Sequence, residues 1–205
     1  MKIVLLVEFI LIFILLPITF LIGLLPKYMI IPSLWMVCIY AYFILKVYKQ
    51  RIFFDTAELK EFTYILKRFF VVGSIIIIFT FLFYPEKLFE LIINKPNAYL
   101  AIIIFYPLFS VIPQELVFRK FFFYRYKIDI SILTYISLNA FIFGFVHCAF
   151  SNLIAIVFTA FGGLLFASTY QKTNSLTLVT LEHTMYGILI FTIGLGDFFH
   201  HNNNI

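Results

Sequence analysis

Residues 113–125 read PQELVFRKFFFYR. The stretch sets a carboxylate, Glu115, and a guanidinium, Arg119, four residues apart inside a long apolar run. On a helix that spacing puts both side chains on one face. Charge in a lipid-spanning helix is costly, so such groups turn inward and find partners. Whether this run crosses a bilayer decides the fold, and the rest of the chain answers that. Of its 205 residues, 63% are hydrophobic and 12% are charged. A soluble domain is about half apolar and a quarter charged. The mean hydropathy is +1.06. These values exclude an ordinary soluble class and predict an all-α, polytopic transmembrane helix bundle, a single integral membrane domain over residues 1–205.

Seven apolar segments come near the roughly 20 residues that a crossing helix needs. They fall at about 3–25, 28–46, 69–85, 97–125, 129–149, 152–170 and 175–195. The first is too long for a signal-peptide core and lacks a small-residue cleavage site, so it reads as a retained helix. The stretch 47–68 is the one polar island. Leu59, Phe62, Leu66 and Phe69 recur there at helical spacing, which predicts an interfacial amphipathic helix. Asp129 and Ser131 are both suitable N-caps for the fifth helix. Thr159, Gly163 and Ala167 repeat every four residues, a pattern that lets helices approach closely. Residues 196–205 read as a frayed tail, His200 and His201 included, and not as a metal site.

The net charge of +5 is a topology signal, not a nucleic-acid signal, because the basic residues sit between apolar runs. With a cytoplasmic N-terminus, twelve of them fall inside: Lys2, Lys46, Lys49, Arg51, Lys60, Lys67, Arg68, Arg119, Lys120, Arg125, Lys127 and Lys172. Three fall outside, at Lys27, Lys87 and Lys95. The bias predicts N-in and C-out with an odd number of spans, in a bacterial inner membrane. The expected partner on these grounds is the bilayer, and no nucleic acid. Cys38 and Cys148 lie in apolar runs and behave as small hydrophobes, with no disulfide framework.

Further polar groups interrupt the apolar spans. Gln114 precedes Glu115. His147 lies in FIFGFVHCAF, and His183 follows Glu182 in TLEHTMYG. Taken singly, Glu115 and Arg119 form a structural ion pair with Arg119 snorkelling to the headgroups, and a lone histidine is a packing residue. Taken together on three helices, they are each other's cheapest partners. Helix rise puts Glu115 roughly 15 Å and His183 roughly 12 Å from the inner side, but His147 roughly 27 Å along its helix. Closing that gap calls for helix tilt or a re-entrant turn near Ile128.

A carboxylate and a histidine can hold a water and take its proton. A second histidine can donate to the developing oxyanion, and Arg119 can orient Glu115. That is the chemistry of peptide hydrolysis without a nucleophilic Ser or Cys. Cys148 points about 100° away from its neighbour His147, so a Cys–His pair is disfavoured. Glu115, His147 and His183 are also a possible zinc set, although HExxH is absent and Glu115 is committed to Arg119. Apart from that zinc alternative, no cofactor is expected.

These residues resemble the CPBP family of intramembrane proteases, the CAAX-prenyl-protease and bacteriocin-processing (Abi) group. The family carries EExxxR, FxxxH and HxxxN on three helices. Here the three read Gln114 to Arg119, Phe143 to His147 and His183 to Gly187, in order, over roughly residues 99–196. The resemblance implies catalytic roles for Glu115, His147, His183, Arg119 and Gln114, with Phe143, Glu182 and Gly187 in support. It also implies a peptide or lipidated-protein substrate. Two positions depart. The family's first Glu is Gln114, and an amide is no base near neutral pH. The family's last Asn is Gly187, which has no side chain. Three readings follow. In the first, Glu115 acts as base with His147 in an active endopeptidase. In the second, an impaired homologue serves as a binding, scaffold or immunity protein. The third is an ion relay, disfavoured because no inverted repeat is visible. The protease reading predicts a cavity open to the cytoplasmic side or inner leaflet, lined by Glu115, His147 and His183.

Overall fold

In the computed structural model, residues 3–51 and 59–199 are described, and they hold helices and turns with no strand. Six helices are long and apolar enough to cross a membrane: α1 (Ile3–Leu21), α2 (Lys27–Val47), α3 (Leu59–Phe83), α4 (Pro96–Arg125), α5 (Ile132–Phe150) and α6 (Leu153–Thr173). A seventh, α7 (Leu176–Thr192), is apolar and has 17 residues, the lower end of the crossing range. Each expected span is therefore matched by a helix.

Caps and prolines set the boundaries. Ser131 accepts the Thr134 N–H at 3.1 Å and opens α5, so Ser131 and not Asp129 is the cap. Asn152 does the same for α6, and Ser175 for α7. Pro85 follows the end of α3. Pro96 starts α4, where a missing N–H costs nothing.

The polar island needs a correction. Its described second half, from Leu59 onward, is not a separate interfacial helix but the first turns of α3. No proline interrupts the chain between Leu59 and Phe83, so the polar turns simply continue into the apolar ones. Residues 52–58 lie outside the described residues, as do Lys2, His200 and His201.

Inside the bundle, α5 and α6 pack at the closest range. A Cβ on Gly144 would come within 2.7 Å of Ala160 Cβ, and one on Gly163 within 3.0 Å of Ala140 Cα. Small residues permit this backbone approach. Gly163 and Ala167 take part as expected. Thr159 does not: its hydroxyl turns back to the Ala155 carbonyl at 2.6 Å and its side chain faces a cavity. Near the N-terminus, Glu8 on α1 accepts from Arg125 Nη2 at 2.8 Å, Tyr126 at 2.6 Å and Tyr40 at 2.7 Å. That tie joins α1 and α2 to the end of α4.

The chain's loops divide between two ends. The basic end holds residues 48–51 and 126–131. At the opposite end, Lys27 donates to Ser151 at 3.2 Å and Lys87 pairs with Asp197 at 2.9 Å. There Gly194 (φ +82°) passes so close to Lys87 that a Cβ would lie 1.9 Å from its carbonyl oxygen. Only glycine fits.

Candidate active site

The widened middle of α4 presents the motif. Pro107 and Pro113 lack the N–H that an α-turn uses. The helix loosens into π turns at Pro107–Val111 and Leu116–Phe121, a feature often found at functional sites. Glu115 and Arg119 are both fully buried. Arg119 Nε lies 3.2 Å from Glu115 Oε2, an ion pair by distance that is not aligned as a hydrogen bond. Arg119 Nη1 donates to Asn139 Oδ1 at 2.7 Å, and the guanidinium carbon sits 4.7 Å from the Phe143 ring centroid. Arg119 therefore does not snorkel to the headgroups. Asn139, itself anchored by donating to the Phe118 carbonyl at 2.8 Å, holds it inside.

Glu115 pairs with His183, not with His147. His183 Nδ1 lies 2.7 Å from Glu115 Oε1. Its ring stacks on Phe166 with centroids 4.5 Å apart and planes at 20°. With Nδ1–H given to the carboxylate, Nε2 is left as an acceptor. Next to it in sequence, Glu182 is fully buried and points elsewhere. Glu182 accepts from Arg68 on α3, which also donates to Thr169 on α6, and Thr169 donates to Glu182 at 2.6 Å. This second cluster ties α3, α6 and α7 together and fixes the face that α7 turns toward Glu115.

His147 stands where α5 tightens into a final 3-10 turn, His147–Phe150. Its Nδ1 lies 2.6 Å from the Phe143 carbonyl, so Nδ1–H donates and Nε2 again is the acceptor in the neutral ring. The depth gap expected from helix rise is narrower in the structure: one Phe143 ring touches both histidines, its centroid 4.9 Å from that of His147 and 5.7 Å from that of His183. His147 belongs to the upper level of the site, beside Phe150 and Phe199.

Both histidines line an apolar cavity of about 1250 Å³. Gln114 lines it too; Glu115 and Arg119 lie behind its wall. Gln114 Nε2 donates to Ser110 at 2.7 Å, and its Oε1 is buried without a partner. From a floor at Gln114 and His183 the lining reaches Lys27, Tyr84, Phe150 and Phe199. The mouth is thus at the end opposite the basic one. The cavity also meets the lipid sideways between α3 and α6, where lining residues Ile75 and Phe161 are 61% and 67% exposed. The expected opening at the basic, cytoplasmic-type end is therefore reversed, because His147 and the free ends of α5 and α7 lie away from that end.

Glu115, His147 and His183 are not drawn together as one zinc set. Glu115 turns its oxygens to His183 and Arg119, and His183 turns Nδ1 to Glu115. Among the described residues no three His, Cys, Asp or Glu side chains are grouped to hold a metal ion. Cys148 is buried and does not line the cavity.

Of the site residues expected from sequence, Gln114, His147, His183, Phe143 and Gly187 meet at the cavity. Glu115 and Arg119 support it from behind, and Glu182 serves the Arg68 cluster. Asn139, Phe166, Arg68 and Glu8 were not foreseen. Asn139, Arg68 and Glu8 carried a signal, a polar group within or beside an apolar run; Phe166 carried none.

Residues 96–189 match the family model described as type II CAAX prenyl endopeptidase Rce1-like. The matched segment begins with α4, ends within α7 and contains all three motifs. No curated protein and no solved structure matches the chain. Over this segment the chain is similar to the CPBP, or CAAX-protease, family of membrane proteins.

Proposed function

We propose that this chain is a CAAX-protease family member and an intramembrane endopeptidase that hydrolyses a peptide bond of a membrane-associated peptide or protein, lipidated or not. The observation that carries the reading is the His183–Glu115 hydrogen bond of 2.7 Å at the floor of the cavity. His183 Nε2 takes a proton from a water as the water oxygen bonds to the scissile carbonyl carbon. The carboxylate of Glu115, through Nδ1–H, stabilises the imidazolium that forms. The tetrahedral intermediate collapses, the C–N bond breaks, and His183 returns the proton to the leaving amine. Arg119 and Asn139 hold Glu115 in register. His147 Nε2 and Gln114 Oε1 are acceptors for substrate N–H groups. Glu115 thus acts through His183, not as the direct base paired with His147.

One observation favours a second reading, a binding or immunity protein. The side chain of the 113–119 motif that faces the cavity is an amide, Gln114. Cleavage separates the two. The protein, reconstituted in lipid nanodiscs with single-span peptides, is expected to cut them into two products at a rate that a chelator such as EDTA leaves unchanged. Peptide binding with no cleavage supports the second reading, and loss of cleavage with EDTA overturns the metal-free route.

The side of the membrane follows from the charge bias. We place the N-terminus in the cytoplasm; burial of Arg119 removes one inside charge and leaves the bias strong. The cavity mouth then faces the extracytoplasmic half of the bilayer, and the peptide arrives from that side or through the α3–α6 gap. A chain lacking Cys38 and Cys148 gives the test. On intact cells a membrane-impermeant maleimide is expected to label Lys95→Cys and to spare Lys127→Cys, both exposed positions. The reverse pattern contradicts this orientation.

A further inference from the structure

Two histidines whose Nδ1–H groups are already given away leave the site rich in acceptors. Hydrolysis of a peptide bond also needs a donor where the carbonyl oxygen becomes negative. The wall beside His183 offers one. Tyr106, on α4 one residue before its first π turn, lines the cavity with its ring edge-on to His183, centroids 6.2 Å apart. Phe191 packs against the same ring at 5.3 Å. The phenol lies directly over Gly187, one helical turn beyond His183 on the same face of α7. A Cβ at position 187 would meet the Tyr106 hydroxyl oxygen at 2.3 Å. The glycine therefore leaves room that the hydroxyl fills. Tyr106 lines the cavity and no hydrogen bond to another described residue occupies its hydroxyl, so the hydroxyl is free to donate to a substrate oxygen.

We propose that Tyr106 is a catalytic residue whose hydroxyl donates a hydrogen bond to the oxyanion of the tetrahedral intermediate, in a place opened by the absence of a side chain at Gly187. The role rests on the endopeptidase reading above. The water oxygen bonds to the carbonyl carbon, the carbonyl π pair moves onto oxygen, and the water proton goes to His183. Tyr106 keeps its proton throughout and donates a hydrogen bond. When the intermediate collapses, the pair returns to the C=O bond and the amine leaves with the proton from His183.

The test compares wild type with Tyr106→Phe, which keeps the ring and its packing. The expected result is a fall in kcat of about 10²–10³-fold, with KM and the unfolding midpoint held. A rescue pair guards against a purely structural effect. Gly187→Asn alone collides with the phenol and loses activity. Combined with Tyr106→Ala it has room for an amide donor and is expected to cut faster than Tyr106→Ala alone. Unchanged kcat in Tyr106→Phe, or a double variant no faster than Tyr106→Ala, overturns the role of Tyr106 and leaves the endopeptidase reading standing. A wild type that cuts nothing overturns the endopeptidase reading, and this role with it.

Discussion

His183→Gln is expected to slow peptide cleavage by about 10²–10⁴-fold, the loss typical of a positioned acid–base group. The reason is geometric. Among the described residues His183 alone joins the cavity to the buried carboxylate, through a 2.7 Å hydrogen bond. Glutamine retains a polar end but cannot take a proton from water near neutral pH. Glu115→Gln should give a loss of the same order, because the charge facing the imidazolium is gone. The double variant should be hardly worse than either single one, since residues that act as a unit are far from additive. Steady-state kcat and KM on one single-span peptide decide this. Losses that multiply in the double variant would mean that the two residues act separately.

Arg119→Met carries the largest expected effect on stability. Arg119 is fully buried, and its charge faces Glu115 at 3.2 Å, Asn139 at 2.7 Å and the Phe143 ring. Methionine fills much of the space but leaves Glu115 as an uncompensated buried charge. Breaking a buried pair from one side typically costs about 3–5 kcal/mol. Adding Glu115→Gln removes the orphaned charge, so the double variant should regain part of that loss. Lysine at 119 is no substitute, because a point charge cannot reproduce the planar fork that reaches both Asn139 and Glu115. Unfolding in detergent, followed by helical circular dichroism, measures all four proteins. A single variant as stable as wild type would show that the pair carries no stabilising charge balance.

Much of this architecture was readable from residue order. Apolar run lengths placed all seven helices, and the four-residue spacing of Glu115 and Arg119 put them on one face. Helix rise overstated the offset in depth between His147 and His183, since one Phe143 ring touches both. What periodicity could not supply was how the helices are rotated and tilted against one another. That rotation decides that Glu115 meets His183 and not His147, and that Glu115 lies behind the cavity wall while Gln114 faces it. It also sends Glu182 to Arg68, a residue that sequence alone placed at the end of an interfacial helix. The start of α3 was misplaced because charged residues mark a polar face without marking a helix boundary. Tyr106 was invisible for another reason. A tyrosine in an aromatic-rich chain carries no signal until the glycine opposite it is seen to leave space for it.

The most direct measurement sets Glu115→Gln and Gln114→Glu beside the wild type, with one membrane peptide in lipid nanodiscs. The account predicts cleavage by the wild type, slowed about 10²–10⁴-fold by Glu115→Gln. A silent wild type whose activity appears with Gln114→Glu would contradict it, showing a site that lacks its base and a protein that binds without cutting.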